Sequence, residues 1–285
     1  MKESVFHFGP RNSLMGILSE PDEAVRREDS PVAVLINAGI VHRVGPFRLH
    51  VDIARRLASQ GVRSLRIDLS GLGDSGPRVD KLSIRERTVL DVRDCMNALE
   101  SRHLGTRFAL IGLCSGAFNA HKASVVDERV VGTVFIDGIA FRTPGFYLRH
   151  YGLRLMRPRF WRNMMLRRLR NQMPMSKSDR SQGEQLAEAV FFDQEIIPHE
   201  ARSEINTLVR RGVQMLFIYT DGYPDIACEK QFVEMFRRRP DQQVQVEYYA
   251  KASHTFRLCA NRTITVDRIA HWFSERLATS CIETA

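Results

Sequence analysis

The sequence predicts an α/β domain: a mostly parallel sheet with helices on both faces. Three observations lead there. Val32–Ile36, Arg107–Ile111 and Val130–Ile136 are runs of aliphatic and β-branched residues without alternation, the pattern of strands buried on both faces. Segments with apolar residues at helical spacing separate most of these runs, so the chain alternates strand and helix. With 285 residues and 44% hydrophobic content, the chain can bury one such core and carry an insertion.

In order, Val5–Phe8 and Leu14–Leu18 read as an antiparallel edge hairpin around Gly9-Pro10-Arg11-Asn12, and Pro21–Ser30 is a charged loop. Val32–Ile36 ends at Asn37-Ala38-Gly39. The helix expected over 46–60 places Phe47, Val51, Ala54, Leu57 and Ala58 on one face and stops at Gly61. Val62–Asp68 is the next strand, followed by a glycine-rich loop to Gly76. Ser83 and Glu86 stand at capping-box spacing ahead of a long helix to Arg102. After Val130–Ile136 the alternation breaks, and 139–200 is Arg- and Met-rich with prolines at 144, 158, 174 and 198. It resumes with a helix (201–211), strand (213–219), helix (226–238), strand (244–249) and final helix (264–277). The expected division is therefore a core of 1–138 and 201–285 with a helical cap at 139–200.

No run of eighteen apolar residues and no signal-peptide pattern occurs, so a soluble cytoplasmic protein is expected. Five cysteines without C-x-x-C spacing argue for reduced thiols rather than disulfides or structural zinc. The net charge of +9 is local: Arg142–Arg180 holds eleven basic residues against one acid, Asp179. Half of the methionines (156, 164, 165, 173, 175) lie in the same segment. This composition reads as cap helices with one apolar and one basic face, suited to steering an acidic partner. Nucleic acid fits poorly because no zinc finger, RNA-recognition sequence or aromatic platform accompanies the arginines. An anionic membrane surface is a weaker alternative.

The chemistry centres on Gly112-Leu113-Cys114-Ser115-Gly116, where an apolar strand meets a helix through a G-x-C-x-G turn. This is the nucleophile-elbow pattern with cysteine at its centre. The partial positive charge at a helix N-terminus favours an anion there. Gly71, Gly73 and Gly76 match neither a P-loop nor a dinucleotide fingerprint, and no cofactor or metal is expected.

Together with Asn37–Pro46 and Asp68–Ser75, this elbow resembles the α/β-hydrolase superfamily over essentially the whole chain. It is most similar to a cysteine-nucleophile subgroup associated with exosortase and polyketide-type clusters, whose members are hydrolases or thioesterases. The resemblance implies the order nucleophile, acid, histidine. His254, just past the last strand, fits the general base. The acid is expected at Asp221 or Asp225, on either side of position 223, where related sequences place theirs and this chain has tyrosine; Asp137 is a third option. His42, His50, His103, His121, His199 and His271 lack such placement. Backbone N–H groups of Ser115 and Ile40 are the expected oxyanion donors. The activity expected is cysteine-dependent acyl transfer, as thioesterase or acyltransferase, on a thioester carried by CoA or an acyl carrier protein. The alternatives are dienelactone-hydrolase-like ester hydrolysis, whose enzymes also include a cysteine at the elbow, and a non-catalytic binding protein on the same scaffold.

Overall fold

The computed structural model describes residues 1–80, 82–155 and 196–277. Eight strands form one sheet: β1 (Lys2–Phe8), β2 (Leu14–Glu20), β3 (Val32–Ile36), β4 (Ser64–Asp68), β5 (Phe108–Leu113), β6 (Val130–Ile136), β7 (Gln214–Thr220) and β8 (Val244–Tyr249). Their spatial order is β1-β2-β4-β3-β5-β6-β7-β8. The β1–β2 and β2–β4 pairs are antiparallel, and every pair from β4 through β8 is parallel. The helices are α1 (Leu49–Ser59), α2 (Ile84–Ser101), α3 (Ser115–Val126), α4 (Pro144–Leu155), α5 (Pro198–Arg210), α6 (Gln231–Phe236) and α7 (Cys259–Arg276).

Because side chains alternate across a strand, each apolar run feeds two cores. On one face, Val34, Ile36, Phe108, Leu110 and Phe135 pack in one cluster with Met96 and Leu99 of α2, Ala120 of α3, Leu208 of α5 and Phe232 of α6. On the other, Leu35, Ala109, Ile111, Val134 and Leu216 meet Ile53 and Leu57 of α1 and Ile269, Trp272 and Phe273 of α7. The two-faced burial explains why these strands carry no polar alternation.

The capping box forms as the spacing predicts: Ser83 N–H donates to Glu86 Oε2 at 2.8 Å, and Glu86 N–H donates to Ser83 Oγ at 3.3 Å. Helix bounds differ in several places: α5 begins at Pro198 and α7 at Cys259, ahead of the starts expected at 201 and 264. Phe47 has φ 50° and Arg48 φ 67°, so Pro46–Arg48 is a separate short turn and α1 begins at Leu49. The helix expected over 226–238 is regular only through Gln231–Phe236, ended by left-handed Arg237. Within the expected cap, α4 and the start of α5 are described, while 156–195, with most of its arginines and all five methionines, lie outside the described residues.

Candidate active site

The elbow is built by close packing. Cys114 takes φ 56° and ψ −120° between β5 and α3, a strained conformation for a side-chain-bearing residue, and its N–H donates to Ile136 O at 2.8 Å. Both flanking glycines are required sterically. A Cβ on Gly112 would lie 2.1 Å from the Gly116 backbone, and one on Gly116 would lie 2.7 Å from Ile36 O. The strand-to-helix turn thus presents a half-buried Cys114 side chain at the carboxyl end of the sheet.

His254 reaches this position from the turn after β8, which is anchored by the fully buried Phe256. Its Nδ1 lies 2.9 Å from Asp137 Oδ2, and facing a carboxylate it carries the proton and donates. The Cys114 side chain also acts on the imidazole, favouring its protonated form. Burial alone would lower the His254 pKa, but the bonds and charge from Asp137 and Cys114 outweigh it and lift the group to about 9. His254 therefore holds its proton at neutral pH.

The carboxylate is not the one favoured from sequence. Asp137 follows β6, is fully buried, and turns the chain with φ 46°. It accepts from Thr220 N–H at 2.6 Å and from Thr220 Oγ1 at 2.5 Å as well as from His254. Burial pushes its pKa up, against the pull of these bonds. Asp221 instead accepts from the Tyr248 hydroxyl at 3.1 Å, and Asp225 holds Arg142 at 2.9 Å. The correction follows from sheet order: β6 lies between β5, which carries Cys114, and β7, so a residue just past β6 is centred on the site. Thr220 escaped notice in the sequence; its only signal was a polar residue closing an apolar strand. Tyr223, which lies between the two expected aspartates, stacks on His254 with ring centroids 5.5 Å apart and planes at 24°.

On the opposite side of Cys114, the loops after β3 and β4 are locked together. Gly39 N–H donates to Ser115 Oγ at 2.6 Å, tying the β3 loop to the elbow. Asn37 bridges Gly39 O and Leu69 N–H at 3.4 and 3.3 Å. Fully buried Asp68 accepts from Arg43 N–H at 2.6 Å and pairs with its guanidinium, which also holds Asp74 at 2.6 Å. The Asn37–Pro46 and Asp68–Ser75 motifs are therefore halves of one device. Ser115 is the first residue of α3, so its N–H has no intrahelical acceptor. Gly39 N–H is already engaged, and the next residue, Ile40, has an exposed side chain.

The other histidines stand apart. His50 is fully buried, and burial next to Arg66 lowers its pKa to about 4. His121 pairs with Glu204 at 2.7 Å, and His42, His103, His199 and His271 are surface residues. Of the basic segment, Arg142 and Arg149 are each engaged by a carboxylate, Asp225 and Glu234.

Residues 33–279 match the alpha/beta hydrolase family. The chain belongs to this family. No curated protein matches the sequence. Among solved structures, the hydrolase fold here is similar to Est1E from Butyrivibrio proteoclasticus with ferulic acid bound, at 10% identity and TM-score 0.61, covering 96% of this chain and 100% of that one. Dienelactone hydrolase from Anabaena variabilis aligns at 15% identity and TM-score 0.57, covering 97% and 100%. An alpha-beta serine hydrolase homologue from Coxiella burnetii aligns at 15% and 0.55, covering 95% and 96%. At these identities the likeness establishes the fold. Among the described residues, no helix is long and apolar enough to cross a membrane.

Proposed function

We propose that this α/β hydrolase cleaves carboxylic esters through a covalent acyl-cysteine, with Cys114 as nucleophile, His254 as acid and base, and Asp137 as the group that orients and charges it. The observation that carries the reading is the line Cys114–His254–Asp137, with His254 donating to a fully buried carboxylate at 2.9 Å. Cys114 attacks the ester carbon as the thiolate, the one proton of the Cys114–His254 pair residing on the imidazole, and the C–S bond forms while the carbonyl electron pair moves to oxygen. The N–H groups of Ser115 and Ile40 receive that oxyanion at the positive end of α3. As the C–O bond breaks, His254 gives its proton to the leaving oxygen. Neutral His254 then takes a proton from water and becomes imidazolium again, the hydroxide adds to the thioester carbon, and the C–S bond breaks to release the carboxylic acid and return the electron pair to the Cys114 sulfur as thiolate.

An imidazole held protonated to about pH 9 favours an oxygen leaving group over sulfur, because an alkoxide needs a proton to depart and a thiolate does not. The dienelactone hydrolase of similar fold is consistent with ester substrates, so the thioester expected from sequence becomes the second reading. Cysteine at the elbow and the basic surplus of 142–180 keep an acyl carrier or CoA thioester in play as that reading. The test compares a matched alkyl ester and alkyl thioester with wild type and His254→Ala. Loss of His254 should impair the ester at least about tenfold more than the thioester. A wild-type enzyme that prefers the thioester, with both substrates equally impaired by His254→Ala, contradicts the ester reading.

A further inference from the structure

A cavity of about 320 Å³ opens beside the elbow, lined by residues from the loops after β3 and β4 and from α2 and α3. Gly39 and Ser115 form the end nearest Cys114, and Leu69, Leu72, Pro77 and Ile84 form an apolar wall. Its volume is at the lower end of the ~300–1,000 Å³ typical of ligand sites, with room for roughly ten atoms at the ~30 Å³ that a water molecule occupies in the liquid.

We infer that this cavity is the acyl pocket and that it selects an uncharged, largely apolar acyl group of medium length. The inference rests on the covalent reading above for its orientation. With the carbonyl oxygen on the N–H groups of Ser115 and Ile40, the leaving group must face His254, the group that protonates it. His254 and Asp137 come from strands on the β6–β8 side of Cys114, whereas the cavity lies on the β3–β4 side. The acyl chain, which leaves the reacting carbon opposite the leaving group, therefore runs into the cavity.

Charge decides the chemical class. Two guanidinium groups line the cavity, Arg78 and Arg87. Arg78 Nε donates to Asp91 at 2.6 Å and its Nη2 pairs with Asp94. Arg87 donates to Asp80 Oδ1 at 3.0 Å and Asp80 O at 2.8 Å. Three carboxylates thus offset two cations. The other polar groups are also engaged: Thr88 Oγ1 donates to Ile84 O at 2.9 Å, Ser70 N–H to Asp91 at 2.7 Å, Asn37 bridges its two loops, Ser115 Oγ accepts from Gly39 N–H at 2.6 Å, and Asn119 is partnered as well. A carboxylate on the acyl chain would lose water without gaining an uncompensated cation, and burying it unpaired is costly.

Octanamide, a neutral amide of matching size whose nitrogen is a poor leaving group, serves as the probe. Calorimetry should detect its binding to the wild-type protein, and suberic acid monoamide, its carboxylate counterpart, should bind at least about tenfold more weakly. Ile84→Trp fills the cavity from a residue that is 43% exposed, so the fold should tolerate it. This variant should weaken octanamide at least about tenfold and lower the ratio of octanoyl to acetyl ester kcat/KM by a similar factor. No octanamide binding, equal affinity for the carboxylate, or an Ile84→Trp variant with unchanged affinity overturns the pocket assignment. Octanamide binding that Ile84→Trp weakens, in a protein whose Cys114 no ester acylates, upholds the cavity as a binding site and overturns the covalent reading instead.

Discussion

The two sides of Cys114 are held by buried ion pairs of different kinds. On the β3–β4 side, Arg43 meets fully buried Asp68 and ties one loop to another. On the β6–β8 side, Asp137 is equally buried, but its partner His254 is part-exposed and turned toward Cys114. One pair braces two loops, and the other is the proton donor of the mechanism proposed for the site. The contrast teaches that burial of an ion pair does not reveal its role; what the cation faces does.

Breaking each pair should therefore damage a different property. Asp137→Asn should lower kcat by about 10³- to 10⁴-fold while leaving the fold intact, because the isosteric amide keeps the shape but no longer charges and orients the imidazole. Steady-state kinetics with a thermal melt measures both. The pH profile sharpens this test. His254 is raised from its ordinary 6.5 to about 9, so activity that needs the imidazolium is present below that value and falls as pH rises through about 9. In Asp137→Asn the alkaline limb of residual activity should move to lower pH. A limb left in place would mean that another group carries the proton. Linkage gives stability the same sign: the His254 contribution is full below pH 6.5 and is lost as pH rises through about 9.

Arg43→Met is the counterpart on the wall. It strands the Asp68 carboxylate in a fully buried site and should cost about 3–5 kcal/mol of folding stability, read by denaturant titration. Activity per folded molecule should change far less than for Asp137→Asn. The reverse pattern, a stable Arg43→Met protein with its turnover lost, would place Arg43 in the chemistry.

A smaller effect is expected at Tyr223, whose ring lies on the imidazole face. Tyr223→Leu removes the stack and should lower kcat by roughly threefold to tenfold, on the order of 1 kcal/mol for an aromatic contact, with a slight downward shift of the alkaline limb. Tyr223→Phe keeps the ring and should restore most of both. Failure of phenylalanine to rescue would assign the role to the hydroxyl. Smallest of all, Asp221→Asn and Asp225→Asn should stay within about twofold of wild type, since surface pairs such as Asp225–Arg142 contribute little.

The same contrast governs what could be read from sequence. The loops that form the wall were legible because they are local: Asn37–Pro46, Asp68–Ser75 and Gly112–Gly116 are continuous stretches whose glycines and turn residues mark loops after apolar strands, whereas the Arg43–Asp68 pair that joins two of them was not. Cys114 and His254 were legible for a related reason, each lying just past a recognisable strand. The acid was not. Asp137, Thr220, Tyr223 and His254 come from the ends of three strands, and only the lateral order of the sheet, which periodicity does not encode, brings them together. Two aspartates beside position 223 offered a stronger local signal than one aspartate ending β6. Helix α6 was overextended because an apolar spacing that continues past Phe236 does not reveal the left-handed turn at Arg237.

The central claim is a covalent acyl group on Cys114, and intact-protein mass spectrometry tests it most directly. Brief exposure of Asp137→Asn to a medium-chain phenyl ester should slow deacylation and trap the protein at the mass of one added acyl group. Peptide mapping should place that group on Cys114, and Cys114→Ala should remain unlabelled. An acyl group on any other residue, or ester turnover that survives in Cys114→Ala, would contradict the account.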